Sequence, residues 1–457
     1  MDSLSDSSSA PAAAEAASVA AAGSPAVPAV AVPTIPAPAA APATDDTARP
    51  WLHKVVGALF HRNFRLVWLA ALGSTIGTWM QNFAQSWLIF DLTKSNFYKG
   101  VDDALAQLPI LLFMMIGGVI ADRHDRRKLL TGSQYVQAAS AFTLAALLFT
   151  HRVQIWHIFA LSFITGCGQA FGGPAYQSMI PSLVPRRDLP NAIALNSTQF
   201  NLSRVLGPLA GNLVLAFGAA WCFSLNGLSF FIVVVALTML RLPPAPPAAP
   251  RKAMREEMRG GLSYVRNDKV MLTLTVLVFV ATFLAMPILT LLPAFATTVL
   301  AGAGGTAAGR LSSLMASQGL GAILGALVIG SLGRFRHQGT ALLAVQISLG
   351  VMLALFGSSS TYHLSLALLF VCGICSMAMF SMSFSLVQLT VPDALRGRVV
   401  SIYMVALRGG WPLGGLVAGA LADRFSAPRV LMANGTILAI LAAGLLLSSK
   451  SRTLRQL

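Results

Sequence analysis

Runs of about 20 apolar residues recur along this 457-residue chain, and no other feature limits its fold as strongly. As helices rising about 1.5 Å per residue, such runs cross a hydrocarbon layer of about 30 Å. Within that layer the chain must satisfy its own backbone N–H and C=O groups, so only helices and closed barrels span it. The runs are too long and too uniformly apolar for barrel strands, whose two faces alternate. An all-α membrane protein with twelve transmembrane helices is expected, the spans lying near 65–90, 100–121, 129–150, 155–180, 191–217, 221–240, 270–297, 310–332, 340–357, 363–388, 399–421 and 429–448. Composition agrees: only 11% of residues are charged, against about 25% in ordinary soluble domains, and mean hydropathy is +0.70.

The segments outside the runs divide the chain. Residues 1–50 are Ala, Pro and Ser with few large apolar side chains, so they cannot bury a core and are expected to be disordered. They lack the basic start and Leu-rich centre of a cleavable signal peptide. Residues 51–68 read as an amphipathic lead-in along the membrane surface. The longest connection, 241–269, opens with a Pro-rich breaker and continues as a basic amphipathic helix. It separates six spans in 51–240 from six in 270–450, and 451–457 form a short tail.

The net charge of +16 does not point to nucleic acid, because the basic residues sit in short clusters between apolar runs, where they fix topology and meet anionic lipid. With the N-terminus cytoplasmic, the inner segments hold 24 of the 32 Lys and Arg. Both termini and the long connection are therefore expected in the cytoplasm, with Arg424 and Arg429 as outer exceptions.

The two halves echo each other. "RVLGPLAG" (204–211) in the fifth span and "RGGWPLGG" (408–415) in the eleventh share R-x3-P-L-[AG]-G. The charged turn "GGVIADRHDRRKLL" (117–130) has a worn counterpart in "GSLGRFRH" (330–337). Parallel six-helix repeats of this kind build one large transporter fold. Residues 118–129 resemble the loop 2–3 signature of the major facilitator superfamily, with Asp125 where Gly is usual. Together with "LVPRRDLPNAIALNSTQFNLSRVLGP" (183–208), they resemble the branch that includes bacterial enterobactin (siderophore) exporters and related efflux proteins. Gly207, Pro208 and Gly211 match part of an antiporter pattern in the fifth span, while Ala194, Ser203 and Asn212 stand where Gly is expected.

The resemblance implies a multi-pass bacterial inner-membrane protein that exports a small organic molecule, siderophore or drug-like, by alternating access. It also implies that Gly118, Asp122, Arg123, Arg126 and Arg127 latch the two halves together in the outward-open state. The first, fourth, seventh and tenth spans line the cavity in that fold. Trp79, Gln81, Asn82 and Gln85 of the first span are thus substrate-contact candidates, with Gln169, Gln177, Gln388 and the Met-rich stretch 376–384 behind them. Arg204 and Arg408 occupy matching places in mid-span, where charge is costly and faces protein or water. Either they attract an anionic substrate, or each satisfies buried carbonyls beside a proline. Asp102 and Asp103 at the outer start of the second span are candidates for exchanging protons with the periplasm; a solvated helix start is the alternative.

No P-loop and no clustered nucleophile, base or metal set is present in the sequence, so neither an enzyme nor ATP hydrolysis is expected, and no cofactor. The "CGIC" at 372–375 lies in mid-span without His or acidic neighbours and reads as packing. The expected partners are a small-molecule substrate, protons and the bilayer, with the protein a monomer. An importer of the same fold, or a transporter-like sensor, are the other readings.

Overall fold

The computed structural model describes residues 56–123, 125–240, 254–333, 335–392 and 395–448, with the backbone alone at 114–123 and 254–259. The described residues form fourteen α-helices and no strand. These are α1 (Arg62–Thr93), α2 (Asn96–Arg123), α3 (Arg126–Phe149), α4 (Ile155–Leu183), α5 (Leu189–Leu215), α6 (Ala219–Thr238) and α7 (Met254–Asn267). They continue as α8 (Lys269–Ala285), α9 (Pro287–Ala294), α10 (Ala307–Leu332), α11 (Gln338–Ser358), α12 (Tyr362–Thr390), α13 (Arg396–Phe425) and α14 (Ala427–Leu447).

Local chemistry sets the helix starts. The Asp125 carboxylate accepts from the Arg127 N–H, Asp268 from Val270 and Met271, and the Thr306 hydroxyl from Gly309. Each satisfies first-turn N–H groups that have no partner within the helix. Asp125, the residue that departs from the loop signature, is therefore the N-cap of α3. The tail 1–50, the segment 451–457 and the side chains of Gly118, Asp122 and Arg123 lie outside the described residues.

Seven of the helical segments are long and apolar enough to cross a membrane: Ala219–Thr238, Lys269–Val299, Ala307–Leu332, Gln338–Ser358, Tyr362–Thr390, Arg396–Phe425 and Ala427–Leu447. Helices α1–α5 coincide with the first five expected spans, but they are more polar. Gln81, Asn82 and Gln85 lie in α1, Lys99, Asp102 and Asp103 in α2, and Arg204 in α5.

Two expectations change in form. The lead-in is no separate surface helix past Arg62, since α1 begins there and buries Phe64 and Val67. Before it, a single turn at Gly57–Phe60 is tied to the start of α5: the Ala58 N–H donates to Asn191 Oδ1 (2.8 Å) and His61 Nε2 meets Asp188 (2.8 Å). The seventh expected span is broken. Pro287 lacks an N–H and starts α9 afresh, and after Pro293 the backbone widens into a π-turn over Phe295–Val299.

Helix α1 packs on α5 and α6, α3 on α4 and α6, α10 on α12, α11 on α14, and α8 on α13. Contact between the first group (α1–α6) and the second (α8–α14) runs chiefly through α2 against α13 and α5 against α10. Gly207 lets α5 lie directly on α1, because a Cβ there would enter the space of Trp79. Much of the largest apolar core lies in the second group, including the stacked rings of Phe295 and Phe356, 4.6 Å apart. Leu213, Phe217, Leu327 and Leu447 point outward, as side chains facing lipid do.

Candidate transport site

A cavity of about 170 Å³ opens among α1–α4, with Leu289 of α9, Met315 of α10 and Trp411 of α13 on its far wall. Trp79, Gln81, Asn82 and Gln85 line it, as do Asp102, Asp103, Gln107 and Gln169. No residue of α12 does so among the described residues: Met379 and Met382 are in the core and Gln388 is exposed. The second span thus contributes more of the wall than the resemblance implied.

At the start of α2 lies a buried ion cluster. The Lys99 ammonium donates to Asp103 Oδ1 (2.5 Å) and to Asp102 Oδ2 (3.4 Å). Lys99 is 6% exposed and Asp102 only 3%. The spacing is the cause: positions three and four residues on share one helical face with Lys99. The Gln85 amide donates to both Asp102 oxygens (2.8 and 2.9 Å), and the Ser162 hydroxyl of α4 donates to Oδ1 (2.6 Å). Thr290 of α9 reaches across from the second group and donates its hydroxyl to Asp103 Oδ2 (2.8 Å). The cluster thus has a hydrogen-bonded member, Asp102, held within the first group. Its other member, Asp103, is shared between groups. Neither aspartate sits at a merely solvated helix start.

Other candidates fall elsewhere. The Asn226 amide of α6 donates to Gln81 Oε1 (2.6 Å), so this glutamine is turned toward α6 while Gln85 is turned toward α2 and α4. Arg204 donates to Gln318 Oε1 of α10 (3.0 Å) and lies over the Trp79 ring at 5.5 Å. Trp79 in turn meets Phe200 edge-on. Arg408 makes no hydrogen bond or ion pair to any described residue. Neither arginine is among the residues lining the cavity. Arg126 donates to the Ser178 carbonyl of α4 (2.9 Å), and the Arg127 N–H enters the Asp125 cap.

Lys99 and Thr290 were not singled out in the sequence. The Lys99 signal was available, as a lysine followed by two aspartates one turn later. Thr290 carries no such signal, because its role depends on where the broken span places it.

A polytopic helical protein with a polar, ion-paired cavity between two helix groups belongs to the class of membrane transporters. Residues 55–455 match the family model described as transmembrane secretion effector, and the chain belongs to that family within the major facilitator superfamily. These relatives are transporters, not enzymes. The chain is 26% identical over 398 residues to the enterobactin exporter EntS of Shigella boydii serotype 18 and to that of Escherichia coli O1:K1, covering 87% of this chain and 94% of each relative. The fold is similar to the nucleoside transporter NupG (TM-score 0.66, 14% identity, 84% of this chain and 98% of that one). It is equally similar to a bacterial homologue of the human lysosomal transporter Spinster (TM-score 0.66, 14% identity, 86% and 98%).

Proposed function

We propose that this chain is a proton-coupled exporter of a small organic molecule, siderophore or drug-like. It works by alternating access as a twelve-span monomer in a bacterial inner membrane, with both termini cytoplasmic. The observation that carries the reading is the Lys99–Asp102–Asp103 cluster at the cavity, bonded to Thr290 of the other helix group.

The cluster holds one ammonium and two carboxylates. Buried charge is tolerated when it is paired, and one carboxylate here exceeds the pairing that one lysine gives. A single proton makes the cluster neutral. A proton taken up by the two carboxylates also weakens their hold on Lys99 and alters the hydrogen bond from Thr290, so proton binding and the contact between the groups are linked. A donor group of the substrate in the same cavity competes with that proton for the carboxylates, so the two bind in turn, as exchange requires. Gln85, Asn82, Gln107 and Gln169 supply neutral hydrogen bonds to the rest of it. The likeness to enterobactin exporters supports the siderophore class.

The test uses inside-out proteoliposomes with an acidic lumen, offered a catecholate siderophore and a cationic dye side by side. Uptake that stops when the pH gradient is collapsed is expected. An unchanged rate after collapse overturns proton coupling, and substrate moving in the same direction as protons replaces export with import.

A further inference from the structure

One hexapeptide pattern occurs twice in the chain. Gly-Val-Ile-Ala-Asp-Arg (118–123) closes α2, and Gly-Ala-Leu-Ala-Asp-Arg (419–424) lies at the end of α13. These two helices join the helix groups, and they run antiparallel, since Gly100 meets the backbone at Gly415 and Asn96 meets Gly419. The two copies therefore lie at opposite ends of one helix pair.

The second copy is engaged. The Asp423 carboxylate accepts from the Asn96 N–H (2.7 Å), the Asn96 side-chain amide (3.1 Å) and the Phe97 N–H (3.2 Å), and also from the Ser95 hydroxyl. The first N–H groups of α2 have no partner within their helix. A carboxylate from α13 takes that place and faces the positive end of the α2 dipole. Gly419, four residues earlier, makes room, because a Cβ there would strike the Asn96 carbonyl at 2.5 Å. Asp423 is thus an N-cap supplied by one helix group to the other.

We infer that Asp423 is a positioning residue that holds this end of the α2–α13 pair shut in one of two alternating states, by capping the first turn of α2. The latch at the opposite end is the one that the family resemblance implies for Asp122. The inference rests on the alternating-access reading. It adds a second latch to the one in the charged turn, built from the same six residues. It also accounts for the arginine on the outer side at 424 as part of a repeated unit.

Hydrogen exchange followed by mass spectrometry on the full chain in nanodiscs tests this, and it needs neither substrate nor gradient. Asp423→Ala should speed exchange in 95–103 and 415–423 and slow it at 396–402, as the population moves toward the state closed at the other end. Loss of one such cap shifts the ratio of states by about five- to tenfold. Ser95→Ala with Asn96→Ala, which leaves α13 intact, should act in the same direction but less. Adding Asp122→Ala to Asp423→Ala should move both regions back toward wild type. Faster exchange at 95–103 with no slowing at 396–402 makes Asp423 a local cap only and overturns the inference, as does no change at either end. Neither result bears on whether protons drive substrate movement, which the proteoliposome assay decides separately.

Discussion

The two helix groups differ in what they bury. The first, α1–α6, places Lys99, Asp102, Gln85 and Ser162 around one cavity and ties Gln81 to Asn226. The second, α8–α14, meets that cavity with Leu289, Met315 and Trp411 and adds the single hydroxyl of Thr290 to the ion cluster. Six of the seven helical segments that meet the span criterion by length and apolarity belong to the second group. The difference teaches that repetition of the fold is not repetition of chemistry. One group carries the ion cluster, and the other meets it with a mostly apolar wall, its own buried Arg310 being held by the Ala296, Gly304 and Gly305 carbonyls away from the cavity.

The strongest way to break this comparison is Lys99→Met. Removing one partner of a buried ion cluster leaves its carboxylates uncompensated, a loss of about 3–5 kcal/mol. Thermal unfolding in detergent should show it as a large fall in melting temperature. The triple variant Lys99→Met, Asp102→Asn, Asp103→Asn removes every charge together and should recover most of that stability while losing gradient-driven transport. A Lys99→Met protein as stable as wild type would mean that the cluster is hydrated and that the contrast between the groups is overstated.

How much of this could be read from the sequence follows from the range over which each signal acts. Apolar length is a local property, so the seven segments apolar enough to cross a membrane, which α6 and α8–α14 supply, lie within a few residues of expected spans. The caps Asp125, Asp268 and Thr306 are local too. The break at Pro287 was written in the sequence but hidden by a run otherwise apolar enough to pass as one helix. Lys99 falls just before the expected second span, where a lysine reads as a topology signal, although Asp102 and Asp103 follow it at ion-pairing distance along a helix. Thr290 and the Gln318 partner of Arg204 lie in another helix group from the residues they bond, and no spacing rule connects them. The substrate candidates Gln81 and Gln85 share a stripe in sequence, yet they point to different neighbours. Only the packing of α6 on one side and α2 and α4 on the other separates them.

Among the polar side chains buried in the second group, one sharpens the comparison. Gln346 of α11 is fully buried, and neither its amide nitrogen nor its oxygen has a partner among the described residues. An unsatisfied buried amide costs about 1–3 kcal/mol. Replacing it with an apolar side chain of similar size, Gln346→Leu, should raise stability by that order and leave gradient-driven transport intact. Both are read from one preparation, by melting and by proteoliposome uptake. If transport falls while stability rises, α11 takes part in the cycle and the second group is more than an apolar body.

The smallest expected effect is the most pointed, because it concerns the one polar bond by which, among the described residues, the second group enters the cluster. Thr290→Val keeps the shape of the side chain and removes the hydroxyl that donates to Asp103. A hydrogen bond to a charged group contributes about 1.5–3 kcal/mol when nothing replaces it, and the carboxylate here keeps Lys99 and an opening to the cavity, so a loss of about 1 kcal/mol is expected. Thr290→Ser restores the donor and should restore the rate. The transport rate should fall several-fold in the valine variant, with a changed dependence on lumenal pH, while melting shifts little. An unchanged pH profile would leave Thr290 as packing, and the ion cluster would then belong to the first group alone.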